Sequence, residues 1–344
     1  MPECGSQVIL CDLPVRFDTY QGCSHGCKYC FASKKVDIAD IRKGETAKAL
    51  KRFIDGYRNQ EVNWCDWDIP LHWGGLSDPF QPIEAEIGSS FECLTLFKKT
   101  QYPVVFSTKG ELVASDKYLE VISGCNCAGQ VSITTADFIR KYEPGAPPFS
   151  KRMEMLKALA PCVKRLIVRI QPYLPEMKLD VLKNLSGYKQ AGVYGIVVEG
   201  LKTLKKKAPC IERVAGDFCI PIQALRQDFS EIKAECRRLG LTFFSGENRL
   251  RTMGDSLCCC GVEGLEGWRV NRGNLNHIYF GQPVFTEAMM KPGTGEAFRS
   301  AGRQETVQGK RIKANSYHEN MMAWSKGYQG RQIYGLKNDR TPLS

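Results

Sequence analysis

Short β-rich runs alternate with helical runs from about residue 15 to 245, and this rhythm most limits how the 344-residue chain can fold. Arg16 to Tyr20 reads as a first strand, followed by a cysteine-rich loop. Thr46 to Tyr57 carries Ala47, Leu50, Phe53, Ile54 and Tyr57 at helical spacing. Strands are expected at Ile69 to Trp73, Val104 to Ser107, Val131 to Thr135, Leu166 to Ile170, Ile196 to Val198 and Leu241 to Phe244. Helices are expected at Phe91 to Phe97, Lys117 to Ile122, Lys151 to Leu159, Leu179 to Ala191 and Leu225 to Leu239. Such alternation implies an α/β protein with βα units around a parallel sheet, either a full or partial barrel or an open doubly wound sheet. Both place ligands at the carboxyl ends of the strands.

Composition narrows the class. Hydrophobic residues make up 43% and charged residues 25%, enough for an ordinary core. No apolar run reaches the roughly 18 residues of a membrane span. The start, MPECGSQVILCDLP, lacks the pattern of a signal peptide, so a cytoplasmic protein without membrane contact is expected. Sixteen cysteines in a chain this large point to metal ligands, catalytic thiols or small buried hydrophobes rather than to a disulfide scaffold. The formal net charge of +11 suits an anionic partner such as nucleic acid, and equally suits simple solubility.

The loop after the first strand reads Gly22-Cys23-Ser24-His25-Gly26-Cys27-Lys28-Tyr29-Cys30-Phe31. Its thiols Cys23, Cys27 and Cys30 are soft ligands suited to an iron–sulfur cluster or to zinc. Gly22 and Gly26 let the backbone bend. Three cysteines on a four-iron cubane leave one iron open. A zinc site completed by His25 or by a distant cysteine is the alternative, although the usual two separated ligand pairs are absent.

The spacing Cys-x3-Cys-x2-Cys, with an aromatic before the last cysteine, resembles the radical S-adenosylmethionine (SAM) superfamily. The string GCSHGCKYCFA is similar to the branch containing spore photoproduct lyase and its relatives. Three further segments match that branch in order: Gly75-Leu76-Ser77-Asp78-Pro79-Phe80-Gln81-Pro82-Ile83-Glu84, then Ser107-Thr108-Lys109, then Glu143-Pro144-Gly145-Ala146-Pro147 before a helix with Arg152. The resemblance spans roughly residues 15 to 200 and implies a partial (β/α)6-type radical SAM barrel. It implies a [4Fe–4S] cluster on Cys23, Cys27 and Cys30, with S-adenosyl-L-methionine on the open iron. An external one-electron donor, flavodoxin- or ferredoxin-like, would drive cleavage of SAM to a 5′-deoxyadenosyl radical that abstracts hydrogen from a substrate.

For SAM itself the resemblance places Tyr29 near the adenine and Gly74 and Gly75 at the amino group. Leu76 stands where a glutamate is common, which shifts that contact to Ser77 or Asp78. Ser132 and Thr134 are candidates for the ribose hydroxyls, and Lys109 for the carboxylate. Arg169 or Gln171 is a further candidate for the carboxylate or for substrate. Each is equally readable as a satisfied polar residue of the barrel.

After Gly246 the sequence becomes Gly-rich and weakly periodic, so residues 1–245 are taken as the barrel and 246–344 as a basic, Cys-containing appendage. Its Cys258-Cys259-Cys260 triplet offers thiol hydrogen donors, with Cys258 and Cys259 as candidates, or an auxiliary metal site with Cys219 or Cys236. Adjacent side chains diverge, which argues against all three binding one ion. The segment is expected to cap the barrel mouth. Between Lys291 and Arg340, ten Lys or Arg face four Asp or Glu, interleaved with Phe298, Tyr317, Trp324, Tyr328 and Tyr334. Such a tail suits a nucleic-acid backbone and its bases. A zinc- or cluster-bearing nucleic-acid-binding protein without SAM chemistry is the competing reading.

Overall fold

The computed structural model describes residues 2–4, 11–13, 15–34, 36–57, 70–137, 139–214, 217–268, 304–307 and 310–313. Seven parallel strands form the body: β1 (Val15–Phe17), β2 (Leu71–Trp73), β3 (Val104–Thr108), β4 (Cys127–Ser132), β5 (Arg165–Tyr173), β6 (Gly195–Gly200) and β7 (Thr242–Ser245). They lie side by side in sequence order, and a two-residue strand, Glu3–Cys4, adds antiparallel to β1. Because β7 does not pair with β1, the barrel is partial.

Helices α1 (Ala47–Ile54), α2 (Ser89–Thr100), α3 (Asp116–Ile122), α4 (Phe149–Leu159), α5 (Lys178–Gln190) and α6 (Ile222–Leu239) alternate with the strands. Their apolar stripes meet one face of the sheet. Leu94 and Phe97 of α2, Leu156 of α4, Leu185 of α5 and Phe229 of α6 join Phe17, Trp73, Phe106, Val168 and Val198 in a single core. Trp73 lies within 6 Å of Phe17, Phe80 and Phe97, ring centre to ring centre.

Strand periodicity then dictates the other face. Arg16, His72, Ser107, Gln130, Arg169 and Glu199 alternate with these core residues, so the concave side is largely polar. Below them, Val105, Ala128, Ile167, Val197 and Phe244 form apolar patches.

One strand departs from expectation. β4 spans Cys127–Ser132 rather than Val131–Thr135. Cys-Ala-Gly-Gln carries no β-branched signal, and only pairing with β3 and β5 makes it a strand. Gly129 is required there, since a Cβ would lie 2.9 Å from the Phe106 ring.

Residues 246–268 do not behave as a separate appendage, nor do they cap the mouth. Asp255 bonds back to Phe243 through both its N–H and its carboxylate. The chain then enters the barrel from the amino ends of the strands. Cys258, Cys260 and Val262 pack on Leu13, Val105 and Ala128. Arg165 donates to the Gly261 and Glu263 carbonyls at 2.8 and 2.9 Å, and Trp268 Nε1 to Asn126 Oδ1 at 2.7 Å. The apolar lower barrel needed a cover, and this segment supplies it. The basic stretch with Phe298, Tyr317, Trp324, Tyr328 and Tyr334 lies outside the described residues.

Val262 tests this placement. Val262→Asp buries an unpaired carboxylate and is expected to cost about 3 kcal/mol, lowering Tm by roughly 6–12 °C. An unchanged melting curve would show that the segment is not part of the barrel.

Candidate functional site

The cysteine loop leaves the carboxyl end of β1 and returns through a small hairpin, Tyr20–Gln21 against Arg42–Lys43. It has little regular structure, so its backbone groups need partners from elsewhere. Gln81 supplies several: its Oε1 accepts from Ser24 N at 3.0 Å, and its Nε2 donates to the Gly22 carbonyl at 3.1 Å and Ser77 Oγ at 3.0 Å. Ser77 Oγ donates to the same Gly22 carbonyl at 2.5 Å. Cys23 N donates to the Ile38 carbonyl at 2.8 Å, and Lys28 N to the Tyr142 carbonyl at 2.9 Å.

Asp78 is the second anchor. Its carboxylate accepts from Phe80 N, Thr108 Oγ1, Lys109 N and Gly110 N, and pairs with His25 Nε2 at 3.1 Å. Burial opposes the charge, but His25 and these donors outweigh it and hold the carboxyl well below the usual range. The other His25 nitrogen, Nδ1, lies 3.3 Å from the Gly145 carbonyl. Both ring nitrogens are therefore engaged within the fold, which leaves His25 unsuited to complete a zinc site.

Glu143 is the third anchor and is fully buried. It pairs with Arg152, accepts from Tyr29 OH, and accepts from Thr134 Oγ1 at 2.9 Å. Arg152 also donates to the Ser132 carbonyl at 2.8 Å. Gly145 N donates to the His25 carbonyl at 3.0 Å, and a Cβ on Gly145 would lie 2.4 Å from the Ser24 carbonyl oxygen. The Glu-Pro-Gly-Ala-Pro segment thus clasps the cysteine loop from the far side. Lys109 lies beside it, with Nζ 5.7 Å from the Tyr29 ring centre. Burial works against its charge, yet Glu143 and Cys27 raise its pKa.

The three thiols are half-buried. Burial, with Asp78 adding to it, pushes Cys23 up to about 12, while the His25 and Asp78 N–H groups pull the other way. Burial also raises Cys27, against the opposing charges of Lys109 and Arg152. These cations and N–H donors favour the deprotonated form that metal binding requires. Among the described residues no three His, Cys, Asp or Glu side chains are closed around one point as ligands of a single ion. A cubane asks for something else, since each thiolate binds its own iron. Three thiols on one clasped loop, with cations behind them, fit that group.

The remaining candidates divide. Gly74 has φ +87°, and a Cβ there would lie 2.4 Å from the Ser107 carbonyl oxygen, so packing alone demands glycine. A Cβ on Gly75 would meet only ordinary contacts beside Arg16 and Asp18. Asp18 receives Leu76 N and Ser77 N at 3.0 and 3.2 Å, and with Arg16, Lys43 and Ser77 it lines a cleft of about 440 Å³ beside the loop. Ser77 and Asp78 direct their hydrogen bonds to the loop and its neighbours. Arg169 sits in the barrel, donating to Ser107 Oγ at 3.1 Å, Gln130 Oε1 at 3.0 Å and Gln171 Oε1 at 2.9 Å. His72 joins this layer, 2.9 Å from Ser107 Oγ; burial and Arg169 lower its pKa to about 3, so it is neutral. Cys258 and Cys259 lie in the segment that enters from the opposite end of the barrel. Cys219 and Cys236 belong elsewhere, with Cys236 in the α6 core.

Sequence reading missed Gln81 and Glu143 as site residues. The available signal was a polar side chain beside proline in each strand-end loop, Asp-Pro-Phe-Gln-Pro and Glu-Pro-Gly-Ala-Pro.

No protein-family profile matches the chain. Over 204 residues it is 26% identical to uncharacterized proteins of Mycobacterium bovis and Mycobacterium tuberculosis, covering 55% of this chain and 59% of each relative. The match thus spans about three-fifths of the length of those relatives. Among solved structures, spore photoproduct lyase complexed with dinucleoside spore photoproduct aligns with TM-score 0.52 and 14% identity, over 68% of this chain and 77% of that one. SuiB of Streptococcus suis bound to S-adenosylmethionine aligns with TM-score 0.50 and 11% identity, over 70% of this chain and 52% of that one. These likenesses show that the chain shares the fold of spore photoproduct lyase and SuiB.

Gln81→Leu leaves the Ser24 N–H and the Gly22 carbonyl short of partners, at about 1–3 kcal/mol. Local opening should rise about tenfold or more, read as faster alkylation of Cys23, Cys27 and Cys30 in the metal-free protein. Unaltered alkylation would show that Gln81 does not hold the loop.

Proposed function

We propose that the chain is a radical SAM enzyme, with Cys23, Cys27 and Cys30 holding a [4Fe–4S] cluster and SAM bound at the barrel mouth. The observation that carries this reading is the clasped three-thiol loop at the end of β1 in a radical SAM fold. A [4Fe–4S] cluster held by Cys23, Cys27 and Cys30 would supply one-electron reductive chemistry to bound SAM, for hydrogen abstraction from a substrate. An external one-electron donor is required.

The chain's own residues position and shield. Gln81, Asp78 and Glu143 hold the loop rigid, so the thiols keep one arrangement through turnover. Lys109 and Arg152 bring positive charge to Cys27 and offset the charge of bound thiolates. Tyr29 is fixed by Glu143 and presents its ring toward Lys109, in reach of an adenine. Gly75, lacking a side chain, gives room for the SAM amino group, with Ser77 and Asp78 beside it. Ser132 stands at the end of β4 for the ribose and Lys109 for the carboxylate, whereas Thr134 is buried and gives its hydroxyl to Glu143. Arg169, held by neutral side chains inside the barrel, is placed for an anionic group of SAM or substrate.

A nucleic-acid substrate is favoured by Lys205, Lys206 and Lys207, all exposed on the excursion that follows β6 at the same end of the barrel. The solved lyase with its dinucleoside photoproduct points the same way. Among the described residues no helix is long and apolar enough to cross a membrane.

Anaerobic protein reconstituted with iron and sulfide, reduced with dithionite and given SAM should yield 5′-deoxyadenosine, and Cys27→Ala should yield none. No product from wild-type protein carrying a full, reducible cluster would overturn the enzymatic reading. For the substrate, replacing Lys205, Lys206 and Lys207 with Ala should lower the slope of log K against log salt for DNA by about 2–3. An unchanged slope would remove this loop from the binding surface.

A further inference from the structure

A guanidinium stands inside the barrel among neutral groups. Arg169 projects from β5 and is half-buried. Its Nη1 donates to Ser107 Oγ at 3.1 Å and Gln130 Oε1 at 3.0 Å, and lies 3.3 Å from His72 Nε2. These groups fix one another: Ser107 Oγ donates to Gln130 Oε1 at 2.8 Å and lies 2.9 Å from His72 Nε2, and Gln130 Nε2 donates to the Cys260 carbonyl at 2.8 Å. Among the described residues no carboxylate forms an ion pair with Arg169. The acid in its network, Glu199, is committed to Lys202 at 2.5 Å.

Gln171 occupies the other edge of the guanidinium. Its Oε1 accepts from Nε at 2.9 Å and also from Nη2, on the edge that a carboxylate or phosphate takes with two oxygens. Its Nε2 donates to Glu199, so the amide is held from its far end. A neutral amide oxygen is the weaker ligand there. Charge-assisted hydrogen bonds are roughly twice as strong as neutral ones, so an arriving oxyanion displaces Gln171 from Nε and Nη2. Depth separates this position from the mouth. Ser107, which receives Arg169, precedes Lys109 by two residues and so lies about 7 Å below it along the strand. Lys109 stands beside the Tyr29 ring, whereas Arg169 makes its contacts one layer further down.

We propose that Arg169 anchors the substrate rather than SAM: an oxyanion group of the substrate takes the guanidinium edge now held by Gln171. The substrate is thus an anion bound inside the barrel, with Ser107, Gln130 and His72 bracing the guanidinium from behind. A phosphodiester of nucleic acid and a small carboxylate share this chemistry, and the test separates them. Naming the occupant a substrate rests on the enzymatic reading above, whereas the anion site is tested by binding alone, so either can fail without the other.

The test uses the full-length protein with isotope-labelled histidine, titrated with dimethyl phosphate and, separately, with acetate. Either anion should shift the His72 imidazole resonance saturably, while that of His25, locked between Asp78 and the Gly145 carbonyl, stays in place. Tighter binding of dimethyl phosphate would support a nucleic-acid phosphate at the site, and tighter binding of acetate a small carboxylate. Arg169→Gln should weaken the preferred anion about tenfold or more, and Arg169→Lys, which keeps the charge without the planar fork, should fall between. No saturable shift in the wild type, or unchanged affinity in Arg169→Gln, would overturn the proposal. Where Arg169→Gln fails to fold, the wild type still decides: the bound anion should slow phenylglyoxal modification of Arg169 in peptide maps, and modification at an unaltered rate counts against the site. In protein reconstituted with its cluster, SAM that competes with the anion would assign Arg169 to the cofactor and sink the substrate assignment.

Discussion

The loop that carries Cys23, Cys27 and Cys30 spends little of its backbone on a helix or a ladder, so its polar groups must be satisfied from outside. Much of the site follows from that requirement. Gln81 reaches Ser24 N and the Gly22 carbonyl, Asp78 holds His25, and Gly145 meets the His25 carbonyl. The partners come from the segments after β2 and β4, the places where a parallel α/β fold leaves its chain ends free to converge. Asp78 then ties the loop to β3 through Thr108 and Lys109, so three strand ends share one carboxylate.

Burying those carboxylates has a cost, and the structure meets it with paired charge. Glu143 and Arg152 are both fully buried, and each has further hydrogen bonds, to Tyr29 and Thr134 on one side and the Ser132 and Pro147 carbonyls on the other. A pair with its other valences satisfied avoids the penalty of a lone buried ion, although pairing alone contributes little net stability. Its value here is geometric, since it holds α4, the end of β4 and the cysteine loop in one arrangement. Inside the barrel the pattern differs. Arg169 is surrounded by Ser107, Gln130, Gln171 and neutral His72, which orient the guanidinium without neutralising it.

The two faces of the sheet have separate duties. Outward residues such as Trp73, Phe106 and Val168 build the helix-facing core, while inward ones are polar near the mouth and apolar beneath. An open, partly apolar barrel would expose that lower layer. Residues 254–268 cover it and bring the chain after β7 back to the chain before β1. The seam that strand pairing leaves open is thereby closed by side chains.

The sequence alone determined the βα order, because strand and helix periods are local properties of runs such as Leu166 to Ile170 and Leu225 to Leu239. It also determined the three-thiol loop, whose spacing lies within eight residues. It could not reveal β4, whose Cys-Ala-Gly-Gln stretch becomes a strand only through its neighbours. Nor could it reveal the partners of the loop, since Gln81 and Glu143 reach Ser24 and Tyr29 across separations of 57 and 114 residues. Periodicity reports which face a residue occupies; only the closed chain path decides which two faces come into contact.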